Sequence, residues 1–110
     1  MEEDKKIRIW LMRFKTPVLE LHSWNASAKF TDNGVKTGRS VRINAIRRDM
    51  SNARAMQAAL GAFVDAELLV QGIRVSGASD DDTVVIDVTM EESFDPKILE
   101  KLFEYDVVEE

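Results

Sequence analysis

The chain has 110 residues, no cysteine, 45% apolar and 32% charged residues, and a formal net charge of −5. This size suits one domain over residues 1–110 with a single core, and the lack of thiols excludes disulfide scaffolds, thiolate metal sites and cysteine nucleophiles. The start is acidic, and Arg8 and Arg13 interrupt the first apolar run at residues 7–14, so neither a signal peptide nor a membrane span is expected and the default is a cytoplasmic protein.

Ile7, Ile9 and Leu11 alternate with Arg8, Trp10 and Met12, which predicts a strand over 6–14. With the Ile7 face buried, Trp10, Met12 and Phe14 project to the other side as an aromatic and methionine patch of the kind found at interfaces. Thr16-Pro17 closes this element, because proline disfavours a helical residue before it. A second strand follows from Val18 to Trp24. Asp32-Asn33-Gly34 predicts a tight turn, since Asn and Gly tolerate the positive φ that hairpins require. The long second arm beyond it carries Gly38 as a candidate bulge and alternates through Val41, Ile43 and Ala45.

The strongest element is a helix from about Ser51 to Val70, with Ser51 as N-cap and Gly72 just past its end. Ala53, Met56, Leu60, Phe63 and Val64 form the stripe of larger residues expected to face the sheet. Ala55, Ala59, Ala62, Ala66 and Leu69 form a second seam, an alanine ridge that admits another backbone at close range. Beyond it, Ile73 and Val75 read as a strand, as do residues 83–90, where Val84, Ile86, Val88 and Met90 share one face. Asp95-Pro96 opens a short helix with Asp as N-cap and proline at the first position, carrying Ile98, Leu99, Leu102 and Phe103. The tail 106–110 reads as acidic and frayed. The expected architecture is α+β: an antiparallel or mixed sheet of about five strands, with one long and one short helix packed on one face.

Charge is segregated. Between Gly34 and Arg54 six basic residues oppose only Asp49, whereas from Asp80 to Glu110 twelve acids oppose Lys97 and Lys101. Such poles favour a partner of opposite sign or a second copy. Lys36, Arg39, Arg42, Arg47 and Arg48 form the candidate nucleic-acid surface on a basic hairpin over 36–48, because cations that neutralise phosphates release counterions. Arginine at a helix N-terminus opposes the helix dipole, so helix stability alone does not account for Arg47, Arg48 and Arg54.

Catalytic signals are weak. His22 is the single histidine, and no nucleophile elbow surrounds Ser23, Ser27 or Ser40. Gly34 to Ser40 falls short of a phosphate-binding loop in glycine spacing and in its missing lysine. Asp80-Asp81-Asp82 lacks calcium-loop spacing. The expectation is a protein without enzymatic activity, metal or cofactor: a small acidic adaptor, inhibitor or oligomeric structural subunit. Its partner is a protein, with a homo-oligomer foremost and no membrane, through Trp10, Met12, Phe14, Ala55, Ala59, Ala62 and Ala66. The alternative is a nucleic-acid-binding domain.

Overall fold

The computed structural model describes residues 6–34, 36–78 and 80–108. The strands are β1 (Lys6–Arg13), β2 (Thr16–Ala26), β3 (Lys29–Phe30), β4 (Lys36–Ile46), β5 (Val70–Ser76), β6 (Thr83–Phe94) and β7 (Phe103–Val108). Helix α1 spans Asn52–Asp65, and a 3-10 helix spans Pro96–Leu102. Every pairing is antiparallel, in the order β5-β6-β4-β2-β1-β7, with β3 attached to β4. The α+β class is therefore as expected, with seven strands in place of about five.

Residues directly opposite in a ladder share a face. Val41 faces Val88, Ile43 faces Ile86, and Ala45 faces Val84, all fully buried. Leu21, Leu19 and Leu11 continue this apolar layer through β2 and β1, and Phe103 carries it to β7. Helix α1 covers it with Ala55, Ala59, Ala62 and Phe63, and Leu99 and Leu102 of the 3-10 helix join the same cluster. The opposite face of the sheet is open and charged.

The helix buries mainly the alanine seam, joined by Phe63 from the stripe predicted to face the sheet. Ala55, Ala59 and Ala62 are shut against the chain's own sheet, while Ala53 and Val64 are exposed. Small side chains let the helix axis approach the strands, and Phe63 alone supplies bulk at the contact. The N-terminus is as read: the Ser51 hydroxyl accepts from the Arg54 backbone N–H at 3.2 Å.

The C-terminus comes earlier than residue 70. Leu68 N–H donates to the Phe63 carbonyl at 3.1 Å and Glu67 N–H to the Val64 carbonyl at 2.9 Å, the paired bonds of a Schellman end. Glu67 occupies the left-handed position at φ 65°, where glycine is preferred, and Gly72 lies instead at an irregular point of β5. Glu67→Gly is expected to stabilise the fold by about 1 kcal/mol. A urea midpoint that stays put or falls would show that the Glu67 side chain contributes more than its backbone costs.

The last third departs most from expectation. The second helix is a 3-10 turn capped by Asp95, whose carboxylate accepts from Lys97 N–H at 3.0 Å. Phe103 leaves the helix, and Phe103–Val108 pairs with β1 as an edge strand. Of the tail read as frayed, Asp106 to Val108 lie in this strand and residues 109–110 fall outside the described residues.

Candidate protein-interaction groove

The turn between β1 and β2 brings four of the seven interface candidates of the sequence together, Met12, Phe14, Ala62 and Ala66. Arg13 pairs with Thr16, leaving Phe14 and Lys15 as a two-residue hairpin loop. Phe14 sits at φ 57°, in a turn type that favours glycine there. The register slips between Leu11 and Met12. Met12 is consequently buried at the groove floor, beside α1 and the 3-10 helix, and does not share an exposed patch with Trp10.

Met12, Phe14, Ala62 and Ala66 line one groove of about 450 Å³ with Leu68, Ile98 and Leu102. Arg13 and Asp65 form an ion pair that ties the hairpin to α1. Asp65, Glu67 and Lys101 also line the groove. A second depression, shared by Met12, Phe14 and Lys101, continues past Lys15 to Phe103 and Glu104. The Phe14 ring is thus an apolar knob between two hollows, 78% exposed.

The other interface candidates go elsewhere. Trp10 lies on the open face, opposite Glu20 and Glu104. Ala55 and Ala59 lie beneath α1 and offer no surface to a partner.

Four of the five candidate phosphate-binding residues have partners within the chain. Arg42 makes two hydrogen bonds to Asp87, at 2.7 and 3.2 Å, and that carboxylate raises its pKa. Arg39 donates to the Gln71 side chain and to the Met90 and Glu91 carbonyls. Arg48 reaches the buried carboxylate of Glu20 at 2.5 Å. Arg47 is buried and donates to the Met50 carbonyl, Asn52 and the Gly77 carbonyl, with its Nε left without a partner. Arg47 therefore joins the end of β4 to the start of α1 and the loop after β5, a role that counting charge along the chain does not reveal. The Lys36 side chain lies outside the described residues.

Sequence reasoning also passed over a wider cleft of about 900 Å³ between β2, β7 and the 3-10 helix. Trp24 stacks on Phe103 with ring centroids 4.3 Å apart, and its indole N–H donates to the Tyr105 hydroxyl at 2.8 Å. The signal was the alternation Phe103, Tyr105, Val107, hidden among acids in what read as a tail.

His22 is exposed beside the irregularity in β2 and makes no hydrogen bond to a serine among the described residues. No group of three or more His, Asp or Glu among the described residues is placed to hold a metal ion. No described helix is long and apolar enough to cross a membrane. The chain matches no family model, no curated protein and no solved structure.

Proposed function

We propose that this chain is a non-enzymatic assembly subunit that pairs with a second copy through the Phe14 groove. The observation that carries this reading is Phe14, a bulky residue held at positive φ with its ring in solvent. A left-handed conformation costs a non-glycine residue about 1–2 kcal/mol, and an exposed ring returns nothing to the monomer. Such outliers gather where a surface has a use. Because Phe14 borders the groove, a two-fold copy inserts its own Phe14 beside Met12, Ala62 and Ala66 while accepting the first, as self-complementary contacts require.

The test separates folding from binding. In dilute solution, wild-type protein is expected at twice the chain mass of 12.5 kDa by light scattering. Phe14→Gly is expected to be monomeric at that dilution yet more stable by about 1 kcal/mol, since glycine accepts the turn conformation freely. Ala66→Glu is expected to give a folded monomer as well, because Ala66 is exposed at the groove. A wild-type monomer at every concentration, or a Phe14→Gly protein still dimeric in dilute solution, would rule out this contact.

A further inference from the structure

We infer that the two open sheet edges, β5 and β7, join head to tail between copies, extending one antiparallel sheet through the assembly. The inference rests on the assembly reading above but uses a different surface.

Direction, face and charge all match. The six strands from β5 to β7 alternate in direction, so the edge strands run oppositely. A copy displaced along the sheet therefore lays its β5 antiparallel to β7, with the helix-covered faces on the same side. On that face Tyr105 and Val107 are exposed, and the incoming β5 brings the half-buried Ile73 and Val75 alongside them. An exposed apolar edge strand is a ready template for pairing.

The open face pairs unlike charges near both edges, in two rows separated at β2, where neutral Asn25 lies opposite Arg42. Arg74 of β5 lies opposite Asp87, which lies opposite and bonds Arg42. At the far side Arg8 of β1 lies opposite Asp106 of β7. One edge thus ends on a cation and the other on an anion. Setting Asp106 beside the Arg74 of a second copy places unlike charges opposite each other across the junction. Two-fold pairing of β7 with β7 sets the acids Glu104 and Asp106 against acids, and like charges directly opposite are destabilising. A head-to-tail contact does not close on itself in pairs, so it builds rings or open arrays.

Light scattering and sedimentation over a wide concentration range test this. Above the dilute range in which wild type is a dimer and Phe14→Gly a monomer, the wild-type mass should climb past two chains and that of Phe14→Gly should climb in single-chain steps, which separates this contact from the groove. Arg74→Asp alone and Asp106→Arg alone should each stop at the dimer, and their equimolar mixture should regain growth because both junctions are again complementary. Arg74→Gln and Asp106→Asn, which introduce no like-charge pair within the chain, should each weaken growth by up to about five-fold. Circular dichroism confirms that each variant is folded. A wild type that never exceeds two chains, single charge reversals that grow normally, or folded variants whose mixture fails to grow would each overturn the inference.

Discussion

Ala59→Glu is expected to leave the chain unfolded at neutral pH. Ala59 is 0% exposed between α1 and the sheet, in one apolar cluster with Phe63, Ile43 and Ile86. That cluster holds no cation among the described residues, so a carboxylate there must either stay charged without water or take up a proton. Burial raises a carboxyl pKa by up to about 3–5 units, and each unit is about 1.4 kcal/mol, so the charge alone costs about 4 kcal/mol or more. The extra side-chain volume adds about 1–3 kcal/mol of overpacking. Domains of this kind have only about 5–15 kcal/mol in total. Val64→Glu, on the same helix but 54% exposed, should stay within about 0.5 kcal/mol of wild type. Circular dichroism with urea titration reads both. A folded Ala59→Glu protein with altered assembly would put the alanine ridge on the outside of the molecule, as the sequence suggested.

That contrast shows where the sequence was legible. Short-range chemistry was readable: the Ser51 cap, the turn at Asn33-Gly34, the Asp95 cap and the alternation of residues 83–90 all sit where local rules put them. The choice between two apolar stripes on α1 was not. Periodicity locates stripes, but which one meets the sheet depends on how near the helix axis approaches, and three buried alanines set that distance here. The helix end was missed because Gly72 offered a cheaper cap than Glu67, and the fold instead holds Glu67 at positive φ so that Leu68 packs against the core. The β7 strand was missed because its acids outweighed its alternating aromatic and β-branched residues.

For the candidate groove, Met12, Phe14, Ala62 and Ala66 were identifiable as surplus apolar positions. Their convergence depends on a register slip at Met12 and on contacts about 50 residues apart in sequence, which no local pattern encodes. The basic hairpin shows the same limit. Arg42 and Arg48 looked free because their carboxylates, Asp87 and Glu20, lie 45 and 28 residues away. The poles visible in one dimension become cross-strand partners in the fold, Arg42 with Asp87 and Arg48 with Glu20. On the open face, the edge strands place Arg74 at one margin and Asp106 at the other.

Gly38→Ala is expected to be the most damaging glycine substitution. A Cβ at this position would overlap the Ser27 carbonyl oxygen and lie 3.1 Å from its carbon, both backbone atoms. Ser27 cannot easily withdraw. Its N–H donates to the Ser40 carbonyl at 2.9 Å, and its hydroxyl accepts from the Arg39 and Ser40 N–H groups, each at 3.2 Å. Those bonds hold the end of β2 against β4 where the β4–β6 register slips between Gly38 and Ser40. Relieving the overlap means breaking this clamp, so the cost is about 3 kcal/mol or more. Two other glycines provide controls. Gly34 lies in open space at φ 78°, so Gly34→Ala loses only about 1–2 kcal/mol of backbone preference. Gly72 has no atom within 4 Å of a built Cβ and no positive φ, and Gly72→Ala is neutral or stabilising by about 0.5 kcal/mol. Melting temperatures should therefore fall in the order Gly72→Ala, Gly34→Ala, Gly38→Ala, at about 4 °C or more per kcal/mol. A Gly38→Ala protein that melts with Gly34→Ala would mean the β2–β4 clamp yields at little cost and that Ser27 does not anchor the end of the sheet.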